Sequence, residues 1–96
     1  MTLPAPNKSW TFLTNHAHVL ICLLRDPEIR MTDLAKAVGV TERAISRILR
    51  DLEVEGAVQR HKQGRRNRYE VDPKFPLRHP LDQGHTVGEL FSKLIR

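Results

Sequence analysis

A chain of 96 residues suits one small domain. Its 40% hydrophobic and 28% charged content excludes wholesale disorder, and the longest apolar run, residues 19–24, is far too short to cross a bilayer. The formal charge of +5 and sequence pI near 10.0 favour polyanionic partners, while Cys22, standing alone in that apolar run, excludes an internal disulfide and a cysteine-based zinc site. No signal-peptide pattern opens the chain, so a cytoplasmic, nucleoid-associated protein is expected.

In chain order, residues 1–9 contain Pro4, Pro6 and Asn7 without apolar periodicity and predict a flexible N-terminal arm. Trp10, Phe12 and Leu13 are expected to pack against the first helix or a second subunit. Thr14 or Asn15 caps a helix running to Arg25, on which Ala17, Leu20, Ile21 and Leu24 share a face that Val19 and Leu23 widen. The Asp26-Pro27 pair ends it, because proline disfavours helix at the preceding residue. Residues 28–31 have room only for a short extended piece.

Residues 32–56 carry the strongest pattern. Thr32 is the expected N-cap of a helix bearing Leu34, Ala35 and Val38, with Asp33 in its first turn and Gly39 as its stop. Thr41 caps the next helix, 41–55, which has two stripes. Ile45, Ile48, Leu49 and Leu52 form one; Arg43, Ser46, Arg47 and Arg50 repeat the same spacing on the opposite side. One stripe belongs to the core and the other faces outward, as in a helix-turn-helix unit with its recognition helix.

Gly56 ends that helix, and residues 57–62 and 67–71 read as two strands around a turn near Gly64. Val58, Tyr69 and Val71 alternate with polar residues at period two. A hairpin so placed is a wing, and residues 57–71 are assigned to it. Arg60, Lys62, Arg65, Arg66 and Arg68 supply five cations between Gly56 and Tyr69 without one acidic residue; with Arg43, Arg47 and Arg50 they make half of all Lys and Arg in the chain. Residues 73–85 form a proline-rich connector holding Phe75 and Leu77. Thr86 and Glu89 then make a capping box for an amphipathic C-terminal helix, 86–96, whose stripe is Val87, Leu90, Phe91, Leu94 and Ile95.

The expected fold is therefore mostly α with a small β-hairpin wing. Residues 10–72 form a winged helix-turn-helix domain, followed by the connector and an extra C-terminal helix. Residues 31–71, MTDLAKAVGVTERAISRILRDLEVEGAVQRHKQGRRNRYEV, resemble the winged helix-turn-helix transcription regulators, particularly short MarR-like and ArsR-like proteins. The resemblance implies sequence-specific recognition of double-stranded DNA. Winged helices also serve as protein-interaction modules, in assembly or as anti-activators, and this alternative stands beside the first. The chain is too short to match the added helices and ligand pockets of larger family members, so no small-molecule effector and no cofactor are expected.

For duplex DNA the residue types suit their positions. Arg43, Ser46 and Arg47 lie nearest the base edges of the major groove, where arginine pairs with guanine. Arg50 and Thr41 are placed for phosphates. On the wing, Arg65 or Arg66 suits a narrow minor groove, Arg60, Lys62 and Arg68 suit flanking phosphates, and Asn67 helps to position the tip. A solubilising edge is the competing account of those cations. The histidines do not converge by spacing: His16 and His18 point apart on one helix, while His61, His79 and His85 belong to other segments, so no metal site is expected. No nucleophile, base and orienting group form a catalytic motif, and no enzyme activity is expected. The first and last helices carry more apolar surface than a small core uses. A homodimer is expected, with the fold-back of the last helix onto its own domain as the alternative.

Overall fold

The computed structural model describes residues 9–95; most of the expected arm, residues 1–8, lies outside them. Three helices come first: α1 (Asn15–Arg25), α2 (Met31–Val38) and α3 (Glu42–Glu55). An antiparallel hairpin follows, β1 (Val58–Gln63) paired with β2 (Arg66–Val71), then a 3₁₀ turn at Pro80–Asp82 and α4 (Val87–Phe91). This is the winged-helix arrangement expected from the sequence, with a fourth, short helix at its end.

Local chemistry sets each boundary. The Thr14 hydroxyl accepts the Ala17 N–H at 3.2 Å and starts α1. α2 begins at Met31 and not after Thr32: Arg30 is its N-cap, without a side-chain cap bond, and the Thr32 hydroxyl instead donates to Glu42 at 3.5 Å. The earlier start lets Met31 pack against the core. It also leaves residues 28–31 too short for a third strand, and β2 reaches that segment's edge through one backbone bond, Tyr69 N–H to the Pro27 carbonyl at 2.8 Å. Gly39 closes α2 at φ +87°, a conformation in which a side chain is strained.

Val19, Leu20 and Leu23 of α1, Leu34, Ala35 and Val38 of α2, and Ile45, Ile48 and Leu49 of α3 form one buried cluster with Val58, Tyr69 and Val71 of the hairpin. On α1 the deepest residues are those at the side of the expected face; Ala17, Ile21 and Leu24 are half-buried. Residues 73–77 run antiparallel to 85–88, with Val87 N–H bound to the Phe75 carbonyl and Leu77 N–H to that of His85, and this pairing brings Val87 and Phe91 into the same core.

The last helix is five residues long, shorter than the sequence suggests. The capping box of Thr86 and Glu89 is present, but the chain turns after Phe91, and the Arg25 guanidinium donates to the Leu94 carbonyl at 2.9 Å. The apolar stripe is split: Phe91 is buried, whereas Leu90 and Leu94 stay 43% and 38% exposed. Trp10 and Phe12 stack edge to face at 4.9 Å on the surface, and of that group Leu13 alone packs against the core. Among the described residues, no helix is long and apolar enough to cross a membrane.

Candidate nucleic-acid interface

Ile45, Ile48 and Leu49 hold one side of α3 in the core, so Arg43, Ser46, Arg47 and Arg50 are turned outward and exposed. Among the described residues these four side chains make no hydrogen bond or ion pair within the chain. Thr41 is exposed at the head of the helix, where its Oγ1 accepts the Ala44 N–H at 3.1 Å. The helix thus presents ordered backbone and unengaged cations together.

The hairpin differs. Its strands are one residue longer toward the tip than the sequence suggests, because Gln63 pairs with Arg66 and leaves only Gly64 and Arg65 as the loop. Gly64 has φ +61° while Arg65 keeps a negative φ, the pattern of a tight II′ hairpin turn. Beyond Val58, β1 is exposed on both faces, so the hairpin projects from the body.

Of its five cations, three are held. Two N–H groups of Arg60 converge on Glu53 Oε1 at 3.0 and 2.6 Å, and its guanidinium lies 5.7 Å from the Tyr69 ring centroid. The hydrogen bond that Arg60 donates to Glu53 raises the Arg60 pKa further, against the opposing effect of partial burial. Arg66 donates to the Glu28 carbonyl at 2.9 Å, and Arg68 approaches the Glu28 carboxylate at 3.4 Å. Lys62 and Arg65 have no side-chain partner among the described residues, and Asn67 is half-buried. The stretch free of acids in sequence therefore takes its carboxylates from α3 and from the α1–α2 loop.

The Arg60–Glu53 pair ties the wing to the recognition helix directly, and two further contacts bring the start of α2 beside both. The Thr32–Glu42 bond sets the first turn of α2 beside that of α3, and residues 28–31 share a cavity with Arg65, Arg66 and Asn67. The start of α2 thus lies next to both cationic elements. No periodic pattern in the sequence singles out Arg30, at that position. Its only sequence signal is a basic residue directly ahead of a helix, and its neighbours come from 35 positions or more down the chain.

The histidines occupy separate polar contacts. His16 pairs with Asp51 at 2.9 Å, joining α1 to α3; His61 meets Glu70 and His85 meets Glu89, both at 3.0 Å; His79 Nδ1 accepts the Leu81 N–H. Among the described residues, no group of three or more His, Cys, Asp or Glu is arranged to hold a metal ion. Burial raises the pKa of Cys22, which keeps that thiol protonated among apolar neighbours.

A hairpin wing attached to a two-striped helix defines a winged helix-turn-helix protein. The MarR family pattern matches residues 14–66, more than half of the chain, and the chain belongs to that family. Among solved structures it is similar to MepR, a transcription regulator of the Staphylococcus aureus multidrug efflux pump MepA, with 26% identity and a TM-score of 0.53 over 60% of this chain and 45% of that one. It is also similar to the zinc-dependent MarR family transcriptional regulator AdcR in its Zn(II)-bound state, with 24% identity and a TM-score of 0.49 over 68% of this chain and 47% of that one. Both are transcription regulators. The chain spans less than half the length of either. No curated protein matches the sequence.

Proposed function

We propose that the protein is a sequence-specific, double-stranded DNA-binding transcription regulator, acting in the cytoplasm at the nucleoid. The observation that carries this reading is the outer face of α3, where Arg43, Ser46, Arg47 and Arg50 are exposed without partners among the described residues, on a helix whose other side is locked into the core. In the major groove Arg43 and Arg47 pair with guanine edges, Ser46 reaches a base or phosphate, and Thr41 and Arg50 meet the backbone. The wing takes the adjacent minor groove with Arg65 or Arg66, while Arg60, Lys62 and Arg68 neutralise phosphates and Asn67 steadies the tip.

The protein acts as a homodimer in this reading, placing two recognition helices about 34 to 36 Å apart, one turn of DNA. Trp10 at 65% exposure, Phe12 at 92%, Leu81 at 89%, and the open Leu90 and Leu94 supply apolar surface for a second copy.

Titration of a labelled random-sequence duplex at 50 and 200 mM salt tests the proposal. A protein making six or more phosphate contacts should lose affinity by about 10³-fold between those conditions. Absence of duplex binding at 50 mM salt would favour the protein-interaction module instead.

A further inference from the structure

Arg30 belongs to neither cationic element, yet it stands between them. It is exposed at the head of α2, makes no side-chain hydrogen bond among the described residues, and lines with Arg65, Arg66 and Asn67 a cavity of about 340 Å³. Arginines from two distant parts of the chain line that space with one carboxylate, Glu28, among them, and like charges so gathered favour an added anion. The carboxylate at its edge, Glu28, is directed to Arg68 at 3.4 Å. The Glu28 carbonyl engages one N–H of Arg66 at 2.9 Å, which fixes that side chain and leaves its remaining donors available. The first turn of α2 lacks a side-chain cap, so its N–H groups are open at the same place, with Asp33 in that turn offsetting part of their positive potential.

We infer that Arg30 and Arg66 form a seat for one phosphate group, filled by a backbone phosphodiester of the duplex between the groove entered by α3 and the groove entered by the wing, with Arg65 at the loop left for the minor groove. Guanidinium forks suit a tetrahedral group with more than one free oxygen. The inference rests on the DNA reading and deepens it: helix and wing would be registered to each other by a contact that belongs to neither.

The test compares wild type, Arg30→Ala, Arg30→Lys and the remote control Lys74→Ala on a duplex carrying the selected site and on a scrambled one. One phosphate contact contributes about 0.9 to the slope of log affinity against log salt, or about three- to fourfold between 50 and 200 mM. Arg30→Ala should therefore bind both duplexes more weakly, with its deficit three- to fourfold larger at 50 mM than at 200 mM. Arg30→Lys should recover much of the slope, and Lys74→Ala should match wild type. In phosphate-ethylation interference, one backbone position that weakens wild-type binding when ethylated should become silent with Arg30→Ala. A wild-type slope and an unchanged interference pattern for Arg30→Ala, with Arg47→Ala still impaired, would overturn the seat while sparing the DNA reading.

A second arm is independent of DNA. In solution NMR with inorganic phosphate at constant ionic strength, the Nε–H signals of Arg30 and Arg66 should shift together and saturate, and Arg30→Ala should abolish the response of Arg66. Equal drift of these signals and those of Arg43 and Arg47 would overturn the seat even if wild type bound no duplex.

Discussion

The outer face of α3 and the wing carry the same kind of residue under opposite conditions. On α3 the guanidinium groups have no partner among the described residues, and order comes from the backbone beneath them, which Ile45 and Leu49 hold at 0% and 1% exposure. On the wing the backbone projects, and order comes from the side chains, since Glu53 and Glu28 tie Arg60, Arg66 and Arg68 to the body. A cation therefore has two uses here. Where the scaffold is rigid it is left available; where the scaffold is slender it helps to brace it.

The largest effect expected from that contrast is on stability. Tyr69 is 4% exposed, packs in the core and underlies Arg60, so Tyr69→Ala should cost about 3 to 5 kcal/mol in chemical denaturation, whereas Arg47→Ala should change stability by less than about 0.5 kcal/mol. Comparable losses would break the distinction between braced and available cations. Next in size, Arg47→Ala should weaken binding to a preferred duplex by about 1 to 3 kcal/mol, with a smaller loss on scrambled DNA. Anisotropy titrations on the two duplexes measure the difference, and equal losses would assign Arg47 to the backbone.

Within the wing, Arg60→Ala and Lys62→Ala should separate. The Arg60–Glu53 side chains are 43% and 29% exposed, so their pair belongs near the surface range and Arg60→Ala should cost about 0.5 to 1 kcal/mol of stability. Lys62→Ala should leave stability unchanged and lower the salt slope by about 1 on every sequence. Identical denaturation midpoints for the two variants would remove the bracing role of Arg60.

The smallest effect serves as a control outside both regions. A hydrogen bond from His85 lowers the Glu89 pKa, aided by the Thr86 N–H and hydroxyl. A lowered carboxylate favours the folded state above its ordinary pKa, about 4.3, and that contribution disappears as pH falls through the lowered value. Glu89→Gln should flatten this acid limb of a stability-against-pH curve, whereas Arg47→Ala should leave it intact. An unchanged limb in Glu89→Gln would discount the cap.

Much of the body was legible from spacing alone. Thr41, the two stripes and Gly56 bound α3 as observed, since cap, periodicity and stop agree there. Thr32 misled because a good capping residue lies one position inside a helix whose start is set by the packing of Met31. The C-terminal stripe suggested a longer helix than the one formed, because its periodicity does not record that Arg25 binds the Leu94 carbonyl where the chain turns. At the candidate interface the cations were readable as a class. Their division was not, because Glu53 lies on a helix before the hairpin and Glu28 is 38 residues from Arg66. Arg30 went unread for the same reason.

Selection of bound sequences from a random duplex pool, run in parallel with wild type and Arg47→Ala, tests most directly whether α3 reads bases. Wild type should enrich a site built of two related halves about one helical turn apart, and Arg47→Ala should enrich the same site with one position per half relaxed. No enriched site with wild type, or an identical one with both proteins, would contradict the account.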